Sequence, residues 1–184
     1  GFVFSSPSPD QMIAASEIVE GGAGVLFIVK NYSGDIMNFQ MASEMMTGAS
    51  ETVLTNDDVA VEDSSFTTGR RGVAATVIVE KIVGSFAETG GNLKECKILG
   101  DKVNKNSGSM GVAFSSCTVP AAGKPTFKLG SDEMEFGVGI HGEPGRRRDK
   151  VQPAQEITNE LLGAIIEDLK PEDNDEILLF VNGC

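Results

Sequence analysis

The sequence predicts an α/β fold, and two observations carry that prediction. "GVLFIVK" (24–30) is a short unbroken apolar run of the kind that forms a strand buried on both faces. A turn, a helical pattern and a second strand-like run, "ETVLTN" (51–56), follow it in βαβ order. Further along, "ITNELLGAIIEDL" places apolar residues at 157, 161, 162, 165, 166 and 169, the spacing of an amphipathic helix.

The other elements can be read in chain order. Ser8-Pro9-Asp10-Gln11 has the form of a capping box with proline at the first helical position. It predicts a helix through Met12, Ile13 and Ile18 that ends at Gly21-Gly22. After the first strand, "NYSGD" (31–35) turns the chain, and Ser33 is placed to cap a helix through Ile36, Met37, Phe39 and Met45. "GVAATVIVEKIVGSFAETGG" (72–91) has the β-branched residues of a strand but the length of a helix, and length decides for helix. Residues 92–106 read as a helix with Leu93, Cys96, Ile98, Leu99 and Val103 on one side. Residues 109–120, 134–141 and 176–182 have strand character, and "NKNSGS" (104–109) is the candidate subdomain boundary.

Composition removes several function classes. The chain has 184 residues and a net charge of −12, which repels the phosphate backbone of nucleic acids. No apolar run reaches the roughly 18 residues of a membrane span. The three cysteines, Cys96, Cys117 and Cys184, show no C-x-x-C spacing, which fits reduced thiols in a cytoplasm better than a disulfide framework or a zinc site. "GFVFSSPSPD" lacks a basic n-region and an initiating Met, and "EILLFVNGC" reads as a strand cut off at its turn. The expectation is a fragment truncated at both ends.

Three clusters can carry chemistry. Lys30 ends a strand and Asp35 starts a helix, at the carboxyl end of a strand, where ligands of open α/β sheets bind. Lys30 can donate to a substrate oxygen and Asp35 can accept a hydroxyl proton. A plain salt bridge, or a helix-start Asp held by backbone amides, accounts for the pair equally well. His141, the only histidine, lies in "GVGIHGEPG" (137–145), framed by Gly139, Gly142 and Gly145 and followed by Pro144. A surface turn explains that stretch; so does a strand-end imidazole approached by a small molecule. Ser115, Ser116 and Cys117 follow a strand, but with no G-x-S-x-G elbow a hydrolase pairing with His141 is the weakest reading. The basic islands "GRRG" (69–72) and "GRRRDK" (145–150) read first as solvated loops, and otherwise as sites for phosphate or for an acidic partner. No phosphate-binding G-x-x-x-x-G-K-[ST] loop is present.

Taken together, "SSPSPDQM", "GVLFIVKNYSGDIMNFQMA", "DDVAVEDSSFTTGRRGVAATVIVEKI", "SMGVAFSSCTVPA" and "EMEFGVGIHGEPG" closely resemble the substrate-binding K subunit, or K domain, of dihydroxyacetone kinases. The resemblance runs through nearly the whole chain, so residues 1–184 are expected to be a partial K domain. It implies two α/β subdomains with mixed central sheets, usually in a homodimer. It implies that His141 adds to the ketone of dihydroxyacetone as a covalent hemiaminal, that Lys30 hydrogen-bonds the substrate, and that Asp35 serves the hydroxyl that receives the phosphoryl group. Glycines around His141 would leave room for the adduct. ATP or ADP and magnesium would belong to a separate L subunit or domain, or a phosphoprotein relay fed by phosphoenolpyruvate would replace them. The family's upstream glycine-rich segment with a second histidine is absent from this sequence, so this piece alone is not expected to be an efficient kinase. A dihydroxyacetone-binding transcriptional coactivator of the same family is the alternative.

Overall fold

The computed structural model describes residues 6–61, 69–118, 120, 123–143 and 145–183. Pro144, Cys184 and the 62–68 part of the third motif lie outside the described residues. The elements run α1 (Pro9–Val19), β1 (Val25–Lys30), α2 (Ser33–Met45), β2 (Ser50–Thr55), α3 (Ala75–Glu88), α4 (Leu93–Lys105), β3 (Val112–Ala113), β4 (Glu133–Phe136), β5 (Arg147–Lys150) and α5 (Ala154–Leu169). The α/β class is as expected.

β1 and β2 pair in parallel, from Val25 opposite Ser50 to Lys30 opposite Thr55. Both faces of β1 are covered, which is why its sequence does not alternate. Val25, Phe27 and Val29 pack with Phe39 on α2, while Leu26 and Ile28 face a second cluster of Val53, Val79, Val83 and Cys96. That cluster settles the ambiguous 72–91 stretch. Val79, Val83 and Phe86 recur at helical spacing toward the sheet, and the Asp57 carboxylate caps the helix start by accepting from Val73 N at 2.8 Å and Ala75 N at 3.0 Å. Cys96 is a core residue, whereas Ile98, expected on the same face, is exposed. The cap of α2 is Tyr32, not Ser33, and Tyr32 makes no side-chain capping bond.

After α4 the chain is tied back to the loop following β2: Ser109 N donates to Asp57 O at 2.8 Å and Val59 N donates to Ser109 O at 2.9 Å. An antiparallel sheet of order β3-β4-β5 follows. Its Met134 and Phe136 pack on Ile157 and Leu161 of α5. Arg70 of the loop before α3 reaches Asp168 of α5, Nη1 to Oδ2 at 2.7 Å, which joins the two packing units.

Four expectations need correction. The 109–120 strand shrinks to Val112–Ala113, because beyond Ala113 the chain leaves its partner β4 and Phe114 is exposed. The 134–141 strand stops at Phe136, because Gly137 turns to φ +76° and ends the ladder. The basic stretch 145–150 is not a free loop: Arg147–Lys150 form β5 along β4. Residues 176–182 form no strand; Ile177, Leu178, Leu179 and Val181 are exposed, and among the described residues no strand pairs with them. Among the described residues no helix is long and apolar enough to cross a membrane.

One glycine is forced by packing. A Cβ on Gly72 would lie 2.6 Å from Thr55 Oγ1 and 2.9 Å from Lys30 Cα, and closer still to the Thr55 carbonyl. Backbone atoms cannot yield as a flexible side chain can. Gly72→Ala is therefore expected to cost about 1–3 kcal/mol, the usual range for overpacking, read as a lower urea midpoint with an unchanged slope.

Candidate functional site

The carboxyl ends of β1 and β2 create the site. Lys30 is the last residue of β1 and is half-buried; Asp35 is half-buried in the first turn of α2. Between them the chain bends tightly, with Tyr32 N donating to Lys30 O at 2.8 Å and Asn31 N donating to Thr55 O at 2.9 Å. The Asn31 amide donates to Arg70 O at 2.7 Å, fastening the turn to the loop before α3. This bend projects the Tyr32 ring onto His141: the centroids are 4.6 Å apart and the rings meet edge to face at 67°. The structure thus brings the Lys30–Asp35 turn and His141, far apart in sequence, to one place.

His141 sits in the turn between β4 and β5, half-buried. Glu143 holds it twice. Oε2 accepts from the His141 backbone N–H at 3.0 Å, and Oε1 lies 3.1 Å from Nδ1. An ionised carboxylate only accepts, so the proton of the neutral ring lies on Nδ1 and Nε2 keeps its lone pair. Burial pushes the Glu143 carboxyl up, but the hydrogen bond from His141 and the neighbouring amides prevail and leave it below its ordinary value of 4.5.

The turn itself is held from below. Arg71 is 3% exposed; its Nε donates to Asp58 Oδ2 at 2.7 Å and its Nη2 to Gly137 O at 2.8 Å. Glu135, also buried, accepts from Gly145 N at 2.8 Å and from Arg148 Nη2 at 2.9 Å. The glycines around His141 make room for protein neighbours rather than for a ligand. A Cβ on Gly139 would strike Glu143 and Arg71, one on Gly142 would strike Thr126, and one on Gly145 the Phe136 carbonyl.

The basic islands divide: Arg71 is enclosed in the fold, whereas Arg146, Arg147, Arg148 and Lys150 stay exposed, as the solvated reading expects, although most of these side chains are paired. Arg71 is buried with Asp58, Arg70 pairs with Asp168, and Arg148 pairs with Glu135. Arg147 is shared between Asp149 and Glu160 and lies over the Phe136 ring at 5.0 Å. Ser116 and Cys117 serve their own loop: Phe127 N donates to Ser116 Oγ at 3.3 Å and Thr126 N to Cys117 O at 3.0 Å. Among the described residues no three His, Cys, Asp or Glu side chains group as a metal site.

Tyr32, Glu143 and Asp58 escaped the sequence reading, and Arg71 was noted only as part of a basic island. Two had signals available: Tyr32 is the only tyrosine and lies inside the Lys30–Asp35 turn, and Glu143 follows the only histidine by two positions. Nothing local marks Asp58, and the basic island that contains Arg71 does not announce their pairing, which is tertiary.

Glu143→Gln tests the tautomer. Glutamine replaces one of the two accepting oxygens with an NH2 donor; with its oxygen kept on the backbone N–H the NH2 faces Nδ1, so the ring proton is expected to move to Nε2, seen in the imidazole nitrogen shifts. The variant is also expected to flatten the acid limb of stability. A depressed carboxyl contributes fully above 4.5 and loses its contribution as pH falls through the lower native value, and glutamine has no such dependence.

The chain is similar to several known proteins. The dihydroxyacetone-binding subunit DhaK of a PTS-dependent dihydroxyacetone kinase of Listeria innocua is 50% identical over 186 residues, covering 100% of this chain and 56% of that protein. The crystal structure of the dihydroxyacetone kinase of C. freundii superposes with a TM-score of 0.82 at 36% identity, over 92% of this chain and 31% of that one. A dihydroxyacetone kinase operon co-activator, Dha-DhaQ, superposes at 0.78 and 31% identity, over 89% and 51%. The chain therefore spans about half the length of the curated relative it matches. The Dak1 domain model matches residues 1–184, and the chain belongs to the Dak1 family.

Proposed function

We propose that this chain is the substrate-holding part of a cytoplasmic dihydroxyacetone kinase, which binds the ketone covalently at His141 and presents a hydroxyl for phosphorylation. The observation that carries this reading is the Tyr32–His141 contact, since it sets the Lys30–Asp35 turn beside a histidine whose Nε2 retains a lone pair.

The chemistry follows from those groups. The Nε2 lone pair adds to the ketone carbon, the C=O π pair moves to oxygen, and that oxygen takes up a proton. The ring gives up its Nδ1 proton through Glu143, so the N–H has added across the carbonyl and no charge is left over. Glycerol has no carbonyl and is refused. Lys30 donates to a substrate oxygen, and Asp35 accepts the proton of the attacking hydroxyl. Phosphoryl transfer demands mainly positioning and charge stabilisation, which suits an acid at a helix start. Phosphoryl donation falls to a separate L subunit or domain that carries ATP and magnesium, or to a phosphoprotein relay; the PTS-dependent relative favours the relay. The protein works as a homodimer, with its two α/β subdomains meeting near 104–109.

The similarity to the co-activator supports a second reading, a dihydroxyacetone-binding regulator of transcription. The Lys30–Asp35 pair favours the kinase, because a sensor can dispense with the base.

In the full-length protein, His141→Ala is expected to abolish the mass increment of the trapped ketone adduct; an adduct that survives removes His141 from this role. Adduct formation should also fall in acid, where the protonated ring has no lone pair to attack with. Asp35→Asn should lower kcat by roughly 10²–10⁴ with the adduct retained. A change in KM alone makes Asp35 a binding residue. Full binding with no phosphorylation by any donor component selects the regulator.

A further inference from the structure

We propose that Tyr32 is a positioning residue: its ring is the spacer that sets the register between the covalent histidine and the base-bearing Lys30–Asp35 turn. The proposal rests on the function argued above.

Three observations carry it. First, Tyr32 is the residue of that turn found against His141, with ring centroids 4.6 Å apart at 67°. Secondly, its backbone is not free to drift. It caps α2, its N–H donates to Lys30 O at 2.8 Å, and its C=O accepts from Ile36 N at 2.9 Å. Lys30, Tyr32 and Asp35 therefore move as one piece. Thirdly, the ring and not the hydroxyl makes the contact. Tyr32 Oη is buried, and no hydrogen-bond partner reaches it among the described residues. An unsatisfied buried hydroxyl is destabilising, so the oxygen adds nothing to the stability of the fold. Burial first, then the charge of Glu143, raises the phenol far above its ordinary 10.0, so the side chain stays neutral beside that carboxylate.

Each half of the site has its own set of hydrogen bonds, and Arg71 ties the two sets together away from the reacting groups by bonding Asp58 and Gly137 O. Glu143, Glu135 and Arg71 hold the His141 turn, while Asn31 and the parallel strands hold the Lys30–Asp35 turn. The Tyr32 ring is where the two touch. Removing it leaves His141 oriented by Glu143 and able to form the adduct. What it loosens is the distance from the adduct's hydroxyl to Asp35, and a misplacement of about 1 Å can cost on the order of 10²-fold in rate.

The test uses Tyr32→Leu and Tyr32→Phe in the full-length protein with its phosphoryl-donor component. Adduct mass, kcat and KM are measured on the same preparations. Tyr32→Leu is expected to keep the adduct and to lose about 10- to 100-fold in kcat with little change in KM. Tyr32→Phe keeps the ring and is expected to restore kcat to within about threefold of wild type, with an equal or higher melting temperature because the unpaired hydroxyl is gone. If Tyr32→Leu does not fold, Tyr32→Met supplies apolar bulk without a ring edge and the same comparison applies. Wild-type kcat in the ringless variant overturns the proposal. So does joint loss of adduct and kcat in a folded variant, which would put Tyr32 on His141 alone, and so does a Tyr32→Phe as impaired as Tyr32→Leu. Absence of the adduct from wild type overturns the function on which the proposal rests, and the proposal with it; a wild-type adduct with one of the other outcomes overturns the proposal alone.

Discussion

The structure depends on one buried ion pair. Arg71 and Asp58 are both almost fully enclosed, with Nη2 2.6 Å from Oδ2. Desolvating two charges consumes much of what their attraction returns, so such a pair is weak evidence for stability. Burial is in fact strong enough to leave the Asp58 carboxyl above its ordinary value, with Arg71 and the amide of Ala60 pulling the other way. Its consequence is geometric. Asp58 lies just beyond β2, and the same guanidinium donates to Gly137 O at the end of β4. The carboxyl end of the parallel pair and the turn that carries His141 are thereby held to one another through a single side chain. Loss of either partner would strand a charge in the interior, a change that typically costs about 3–5 kcal/mol.

Around that pair the polar groups form two supports that meet at the site. One runs from Thr55 through the Asn31 backbone and side chain to Arg70 O, and fixes the turn between β1 and α2. The other runs from Arg148 through Glu135 to Gly145, and fixes the turn between β4 and β5. Of the arginines in this acidic chain, Arg71 is consumed by a buried carboxylate, while Arg147 and Arg148 pair with carboxylates and remain exposed. Lys30 and Asp35 sit on a strand end and a helix start, while His141 lies on the connection between β4 and β5 and depends on Glu143 to hold it, and such support allows groups to be held within the narrow tolerance phosphoryl transfer requires.

How much of this was legible depends on the range of the interaction involved. "GVLFIVK" announced a doubly covered strand because burial on both faces leaves no polar position in it, and β1 has that environment. The 72–91 stretch was ambiguous because Val77, Ile78 and Val79 satisfy either element, and it was Asp57, far back in the chain, that supplied the helix start. "EILLFV" looked like a strand by composition, yet a strand is a pairing, and among the described residues none lies beside it. Lys30, Asp35 and His141 were identifiable as reactive types at strand or helix ends, but no local pattern said that they adjoin.

The sequence by itself determined the α/β class, the order of the main helices and the parallel strands, and the short list of groups able to do chemistry. Those properties follow from local periodicity, capping and residue type, which need only neighbours along the chain. Tertiary structure alone decided that the glycines near His141 admit Glu143, Arg71 and Thr126, and that Arg71 is a core residue. It alone joined the Lys30–Asp35 turn to the histidine through Tyr32. The physical reason is that a buried charge or a ring edge acquires its role from the group packed against it, and for Arg71 with Gly137 and Tyr32 with His141 that group lies tens of residues away.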